Sequence, residues 1–272
     1  MKDMRVLVLG AGGMIGSVLV KEFGFQGTTH AENSWSPQVL PNIDITDRNA
    51  LHRALAWAKP EAVINCVGIV KSECDKHVSS RVTAVNGSAP HMLAELTAPL
   101  GCRVIHISTD CVFDGTRGPR TEDDIPDAND LYGQSKIAGE LLDYPHCVTL
   151  RTSFIGRDYV HQRGLLEWLL DQKEEAVGYT HAMWSGFSTH ELARVIGSVL
   201  LNTNLRGLYN VAGPLISKAD LLQDLIDAYG LTCRVKRVDE PHIDRSLDGS
   251  RFSRATGYTP IDWPTMAKEL AA

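Results

Sequence analysis

The stretch RVLVLGAGGMIG (residues 5–16) decides the fold that this sequence predicts. Its first five residues, apolar after Arg5, are typical of a buried strand, and residues 13–24 read as a helix. A strand that turns directly into a helix is the first unit of a parallel sheet with helical crossovers. Further strands are predicted at 62–68, 103–108 and 147–151, and a second helix at 46–58 with Thr46 as its cap. We therefore predict an α/β fold with a doubly wound parallel sheet.

The glycines between the first strand and helix have the spacing of a phosphate-binding turn. Gly10 would permit a tight turn, Gly13 would let a pyrophosphate approach the backbone, and Gly16 would let the helix pack closely on the strand. Gly12 leaves a second register open, and a tight turn without any ligand is the alternative interpretation. Because the helix N-terminus also supplies amide donors, we predict a Rossmann-type dinucleotide site. Its predicted contacts are Gly10, Gly12, Gly13, Met14, Ile15 and Gly16.

The chain beyond residue 154 has a less regular pattern. Helices are predicted at 161–172, 189–201 and 217–230, and a short strand at 207–213. We predict a dinucleotide-binding domain over residues 1–155 and a smaller C-terminal substrate lobe over residues 156–272, with some crossing of the chain between the two.

Composition and charge exclude several classes of function. The net charge of −6 and the pI of about 5.9 argue against a broad basic surface for nucleic acid or an anionic membrane. The apolar start is too short, and too soon broken by glycine, to read as a signal peptide or a spanning helix, so we expect a cytoplasmic protein. Six cysteines without a C-x-x-C pair, and ten histidines without tight ligand spacing, predict neither a disulfide framework nor a bound metal.

The choice between NAD(H) and NADP(H) depends on the residues after the second strand. An acidic residue there favours free ribose hydroxyls, whereas a basic one favours a 2′-phosphate. The region GTTHAENSWS (27–36) offers His30 for a phosphate and Glu32 for a ribose, while Asn33 and Ser34 suit either. We predict NADP(H), with NAD(H) as the alternative.

Tyr132 and Lys136 lie four residues apart in LYGQSK (131–136) and would share one face of a helix. The lysine charge would stabilise a tyrosinate and lower the pKa of the phenol, bringing it nearer the range useful for acid–base chemistry. Such a pair is common on solvated helices, but Ser108 and Thr109 at an upstream strand end strengthen the interpretation. A hydroxyl beside the phenol can orient a carbonyl opposite a nicotinamide.

These features, in this order, resemble the extended branch of the short-chain dehydrogenase/reductase superfamily. The segments STDCVFDG (108–115), LYGQSKIAGE (131–140) and LRTSFIG (150–156) narrow the resemblance to the dTDP-4-dehydrorhamnose reductase family. The resemblance implies that Thr109 is the catalytic threonine, with Ser108 as its neighbour. It further implies that Tyr132 is the proton donor and Lys136 the ribose-binding lysine.

The same resemblance implies further contacts with the cofactor. Asp44 and Ile45 stand where extended members contact adenine, although a turn before a helix is an equal alternative. Asn86 matches an asparagine common in the family, and a buried structural amide is nearly as good an interpretation. The implied contacts are Asp44, Ile45, Cys66, Val67, Gly68, Asn86, Ser108, Tyr132, Lys136 and Ser153.

The implied activity is NAD(P)H-dependent reduction of a 4-keto-6-deoxy sugar nucleotide. Sugar-nucleotide dehydratases resemble this segment but carry a glutamate where this chain has Cys111, so elimination is disfavoured. Two alternatives stay open: a sugar-nucleotide epimerase with retained NAD, and a noncatalytic dinucleotide-binding regulatory subunit. Because some relatives form dimers, a homodimer is a further expectation.

The substrate contacts are predicted from residues near the reaction centre and in the second half of the chain. The two arginines could meet a diphosphate and the tryptophan could cover a ring, although each could equally be a packing or surface residue. His161 and His181 read as structural. The candidates are Thr109, Cys111, Val112, Phe113, Trp184, Arg245 and Arg251.

Overall fold

The computed structural model describes residues 4–158, 160 and 162–272. Its strands are β1 Val6–Leu9, β2 Gln26–Thr28, β3 Val39–Leu40, β4 Ala62–Asn65, β5 Arg103–Ile107, β6 Cys147–Arg151, β7 Phe154–Ile155, β8 Glu175–Tyr179, β9 Ala182–Trp184, β10 Phe187–Ser188, β11 Gly207–Asn210, β12 Ile216–Ser217, β13 Arg234–Val238 and β14 Ile243–Asp244. Its helices are α1 Met14–Phe23, α2 Arg48–Ala58, α3 Ser79–Thr83, α4 Ala89–Thr97, α5 Leu131–Ile137, α6 Leu165–Leu170, α7 Thr189–Leu201, α8 Lys218–Tyr229, α9 Ser250–Thr256 and α10 Trp263–Ala271.

A seven-stranded parallel sheet forms the centre of the molecule, in the order β11-β6-β5-β4-β1-β2-β3. The chain leaves β1 toward β2 and β3 on one side and returns to β4, β5 and β6 on the other. The crossovers therefore diverge beside β1, and ligands of such sheets bind at the carboxyl ends of the strands at this point. The predicted doubly wound α/β fold is confirmed.

Both faces of the sheet are covered, which explains why its strands are continuous apolar runs. Leu7 and Leu9 of β1 face the core that α2 and α4 share. Val6 and Val8 face the opposite core, to which α1, α7, α8 and α10 contribute. The alternation of β1 thus divides its side chains between two buried layers.

Several helix boundaries differ from the sequence predictions for local reasons. Asp47, not Thr46, caps α2, because its carboxylate accepts the backbone N–H of Asn49. Gly164, with φ of 100°, precedes α6, so this helix begins later than residue 161. His161 lies outside the described residues. The predictions for α7 and α8 are confirmed, and α8 begins after the cap Ser217 and ends before Gly230.

The C-terminal half packs small sheets and helices beside the main sheet. β9 pairs with β12 and β14, and β8 pairs with β13, against which α8 packs. β11 belongs to the main sheet instead, where it pairs with β6. The division of the chain at residue 155 stays a prediction. Within the ranges given above, no helix has the length and apolar character needed to cross a membrane.

Candidate functional site

The turn between β1 and α1 requires glycine at two places. Gly10 has φ of 85°, a conformation that residues with a Cβ rarely adopt. A Cβ at Gly16 would lie 2.2 Å from the carbonyl oxygen of Gly10, so α1 packs directly on the turn. A Cβ at Gly12 would meet only Thr29 Oγ1, at the ordinary distance of 3.5 Å. The geometry therefore favours the register of Gly10, Gly13 and Gly16.

A cavity of about 790 Å³ lies beside this turn, where β1, β4 and β5 end. Its walls come from the first turn of α1, the loop after β4, the segment after β5 and helix α5. It therefore occupies the position that the sheet topology favours for a ligand. The residues that sequence analysis singled out and that line it are Gly13, Met14, Ile15, Cys66, Val67, Gly68, Ser108, Thr109, Cys111, Tyr132, Lys136 and Ser153.

The remaining predicted cofactor contacts do not line this cavity: Gly10, Gly12, Gly16, His30, Asp44, Ile45 and Asn86. The carboxylate of Asp44 pairs with Arg81 at 2.9 Å and accepts hydrogen bonds from Thr46. Ile45 is buried in the core beneath α2, and His30 is exposed in the loop after β2. Contacts at the adenine end stay predictions.

Asn86 fixes the loop that forms one wall of the cavity. Its side-chain oxygen accepts the N–H of Ile69 at 2.8 Å, and its amide donates to the carbonyl of Ile69 at 2.9 Å and to Ser135 Oγ at 3.0 Å. Because Asn86 is fully buried, these bonds satisfy it inside the protein. It holds the loop after β4 against α5, which agrees with the structural alternative.

Helix α5 places Tyr132 and Lys136 on the cavity wall. Asp130 caps the helix by accepting the N–H of Gly133 at 2.9 Å. The ammonium group of Lys136 donates to the carbonyl of Ile107, at the end of β5, at 2.8 Å. Burial lowers the pKa of Lys136 to about 8, although Glu140 and Cys66 act in the opposite direction.

Thr109 is held by a buried carboxylate in the cavity that Tyr132 also lines. Its hydroxyl donates to Asp110 Oδ1 at 3.1 Å and accepts the N–H of Cys111 at 3.1 Å. Burial raises the pKa of Tyr132 above its ordinary value. The expected lowering by Lys136 is therefore wrong for the protein as it stands, because desolvation dominates. The phenol is protonated at neutral pH and is able to donate a proton.

Neither Ser108 nor Cys111 has the surroundings of a reactive group. The hydroxyl of Ser108 donates to Glu140 at 2.9 Å, and Glu140 forms two hydrogen bonds with Arg151, at 2.8 and 2.7 Å. All three residues are buried, so the serine belongs to an internal network beneath the site. Burial raises the pKa of Cys111 to about 12, which keeps it a neutral thiol in the cavity wall.

A second cavity, of about 500 Å³, adjoins the first and shares Asp110, Cys111 and Ser153 with it. Its other walls are mainly apolar and aromatic, which is typical of small-molecule sites. Trp184 and Arg245 line it, as sequence analysis suggested. The two cavities therefore meet beside Thr109 and Tyr132.

Three predicted substrate contacts lie elsewhere. The side chains of Val112 and Phe113 pack in the core with Leu247, because the turn after β5 directs them inward. Arg251 pairs with Asp123 at 2.6 Å and with Glu122, and it lines neither cavity. These three predictions are wrong for the side chains.

Sequence reasoning missed charged residues in both cavities. Lys218, the first residue of α8, lines the second cavity. Glu73 and Arg163 line the first, where their side chains form an ion pair of 2.6 Å. The serine cap before Lys218 is visible in the sequence, but it gives no sign of a cavity. Both cavities are built by segments that lie far apart in the chain, so these three residues could not be assigned to them from the sequence.

Comparisons with known proteins agree with this geometry. Bovine methionine adenosyltransferase 2 subunit beta is 33% identical over 141 residues, which cover 51% of this chain and 42% of the relative. The dTDP-4-dehydrorhamnose reductase of Mycobacterium tuberculosis H37Rv is 32% identical over 177 residues, covering 58% and 54%. The chain thus spans about half the length of the curated relatives that it matches.

Among solved structures, the dTDP-4-dehydrorhamnose reductase of Bacillus anthracis in complex with NADP has a TM-score of 0.80 at 19% identity, with 98% of each chain covered. This likeness confirms the fold over nearly the whole chain. The model of the RmlD substrate binding domain family matches residues 4–232 of the 272-residue sequence. Since this match takes in the glycine-rich turn, α5 and most of the second cavity, the chain belongs to the RmlD substrate binding domain family.

Proposed function

We propose that this protein reduces the keto group of a 4-keto-6-deoxy sugar nucleotide with NADPH, or alternatively with NADH. One observation carries the proposal: Thr109, Tyr132 and Lys136 meet where a cavity beside the glycine-rich turn joins a second, mainly apolar cavity. A reduction of this kind needs a dinucleotide and a carbonyl compound to meet beside a proton donor.

The residues of the first cavity fit a nicotinamide dinucleotide. The turn at Gly10 and Gly16 leaves Gly13 and the first turn of α1 open to the cavity, as a pyrophosphate requires. Gly68 lies close to Lys136, since a Cβ there would be 4.0 Å from the ammonium nitrogen. This position at the cavity wall supports the ribose-binding role that we propose for Lys136. When bound, the cofactor supplies the hydride.

The proton chemistry belongs to the chain itself. Tyr132 donates its phenolic proton to the carbonyl oxygen as that oxygen gains negative charge. Thr109, which is fixed by Asp110 and the N–H of Cys111, orients the carbonyl. The ammonium group of Lys136 then stabilises the tyrosinate. Because burial raises the pKa of the phenol above its ordinary value, Tyr132 carries its proton before reaction.

The names of similar proteins support the proposed substrate and cofactor. The Mycobacterium tuberculosis relative is called a dTDP-4-dehydrorhamnose reductase, and the Bacillus anthracis structure of that name contains NADP. His30 is the residue that we propose for the 2′-phosphate. A cytoplasmic location and a homodimer stay predictions, and light scattering of the purified protein tests the second.

Oxidation of NADPH and NADH, followed by absorbance with a panel of nucleotide-linked 4-keto-6-deoxyhexoses, tests the proposal. Tyr132→Phe should lower turnover by at least about a hundredfold while cofactor affinity stays near wild type. Tyr144→Phe is the matched control, because Tyr144 lines neither cavity. Near-normal turnover in Tyr132→Phe would remove the assigned role.

Two other results would favour the alternatives. Interconversion of epimers without net consumption of reduced cofactor would indicate an epimerase. Cofactor binding without turnover, together with co-purification of another enzyme, would indicate a regulatory subunit. Because the chain is similar to a protein named as a subunit of methionine adenosyltransferase, the co-purification test is worthwhile.

A further inference from the structure

Lys136 holds its ammonium group in a buried position without an ion pair. The group donates to the carbonyl of Ile107 at 2.8 Å, and the residue is almost fully buried. Within the parts of the chain that the structure describes, no carboxylate oxygen lies within 4.0 Å of the ammonium nitrogen. A buried ammonium group loses its proton readily unless a negative charge compensates it. The protonation of Lys136 therefore depends on a charge beyond contact distance.

Four titratable groups surround Lys136: Tyr132 one helical turn earlier, Cys66 after β4, His106 on β5, and Glu140 three residues beyond α5. Burial raises the pKa of Cys66 to about 12 and the pKa of Tyr132 above its ordinary value. Burial also lowers the pKa of His106 well below its ordinary value. These three groups are therefore neutral at neutral pH. Glu140 is the anion among the four.

Glu140 and Lys136 hold consecutive residues at the end of β5. Lys136 donates to the carbonyl of Ile107, and Glu140 accepts the hydroxyl of Ser108 at 2.9 Å. Both charged side chains are thus fixed to the same short segment and lie near each other. Because both residues are buried, solvent screens their attraction only weakly.

Arg151 of β6 fixes the direction of the Glu140 carboxylate. Its Nε donates to Oε1 at 2.8 Å and its Nη2 donates to Oε2 at 2.7 Å. A two-point pair of this kind sets both the distance and the orientation of a carboxylate. Glu140 therefore stays with Arg151 and Ser108, and it acts on Lys136 through the protein interior.

We propose that Glu140 is a positioning residue, whose buried carboxylate keeps Lys136 protonated for the reaction. This inference rests on the proposed function, in which charged Lys136 holds the ribose and stabilises the tyrosinate. Glu140 itself lines neither cavity, so its effect on the reaction passes through Lys136.

NMR titration of the Lys136 side chain in the protein without ligands tests the inference. Lysine labelled with carbon-13 at Cε supplies the signal, and Lys136→Met identifies it. In wild type the signal should titrate near pH 8. Glu140→Gln removes the charge at nearly constant shape and should lower the midpoint by on the order of one pH unit. Glu191→Gln is the matched control, because Glu191 is buried, pairs with Arg194 at 2.7 Å and lines neither cavity. It should leave the midpoint unchanged.

A second variant covers the case in which Glu140→Gln does not fold, since that change leaves Arg151 buried without its anion. Glu140→Met combined with Arg151→Met removes the whole pair, and apolar replacement of a buried ion pair is often tolerated. This double variant should also lower the midpoint. An unchanged midpoint in either variant that folds, or an equal lowering in Glu191→Gln, would overturn the proposal.

The pH profile of the reaction connects this charge to turnover. With a keto sugar that is turned over, kcat/KM for NADPH should fall as the pH rises above about 8 in wild type. In the double variant the fall should begin at lower pH, and the two proteins should be most alike at pH 6, where Lys136 is charged in both. A loss of equal size at every pH would indicate a structural role only and would contradict the proposal.

The two experiments separate this inference from the proposed function. A lowered NMR midpoint without turnover of any keto sugar would keep the effect of Glu140 on Lys136 and remove the reductase. Turnover that needs Tyr132, with an unchanged midpoint in the Glu140 variants, would do the reverse.

Discussion

Lys136 shows that the sequence can predict where a side chain lies without predicting the pKa shifts at that position. The four-residue spacing from Tyr132 and the shared helix face follow from α5 alone. The pKa shifts of Tyr132 and Lys136 do not follow from α5 alone. They depend on burial by β5, the loop after β4 and the turn at Asp110. Ser108 is similar: its position beside Thr109 is readable, whereas its bond to Glu140 joins residues 32 positions apart.

The lowered pKa of Lys136 predicts a pH dependence of stability. Its folded pKa is about 8, below the unfolded value of 10.5, so burial of the charge destabilises the protein below pH 8. Between pH 8 and 10.5 the unfolded chain binds the extra proton, so this contribution makes stability rise with pH. Lys136→Met should remove a rise on the order of 2 kcal/mol between pH 7.5 and 9.5.

Urea denaturation of both proteins at the two pH values measures this difference. Comparing slopes with pH, not absolute stabilities, separates the charge from the lost hydrogen bond to Ile107. Parallel pH profiles for the two proteins would show that Lys136 is not destabilised by burial.

At the scale of elements, the glycine-rich turn and the long strands were predictable, and the bounds of β2 and β3 at one edge of the sheet were not. β1, β4, β5 and β6 are buried on both faces, so each is a recognisable apolar run. β2 and β3 contain only three and two residues and carry no periodic signal. The second cavity was also beyond prediction, because β9, α8 and the segment after β14 meet there only through tertiary packing.

The turn predicts opposite outcomes for two glycine substitutions. Gly16→Ala places a Cβ 2.2 Å from a backbone oxygen that cannot move away easily, so it should destabilise the protein by about 3 kcal/mol. Gly12→Ala meets only a side-chain hydroxyl at 3.5 Å and should cost less than about 1 kcal/mol. Thermal denaturation of both variants checks the pair. Equal destabilisation would favour the register that contains Gly12.

At the scale of the whole molecule, the main sheet is completed by the C-terminal half of the chain. β11 adds the outermost strand beside β6, and α7, α8 and α10 share the core layer of β1. The buried guanidinium group of Arg103 at the start of β5 donates to the carbonyls of Val199 and Leu205, at 2.6 and 3.0 Å. Sequence patterns identified the strand at β11 but carried no information on its partner.

This shared core predicts that the two halves fold together. The full chain should unfold in one calorimetric transition, and a chain that ends at residue 155 should remain unfolded because it lacks β11 and the helices α7, α8 and α10, which cover one face of the sheet together with α1. Circular dichroism and calorimetry measure both. Two separate transitions, or a cooperatively folded fragment 1–155, would show that the predicted division marks independent domains.

The junction of the two cavities, which Asp110, Cys111 and Ser153 line, has a kinetic consequence. Under the proposed function, a sugar nucleotide in the smaller cavity would cover the reactive end of the larger one, so we expect the dinucleotide to arrive first and leave last. The steady state should then follow a compulsory order, in which the oxidised dinucleotide competes with the reduced one and the sugar product does not.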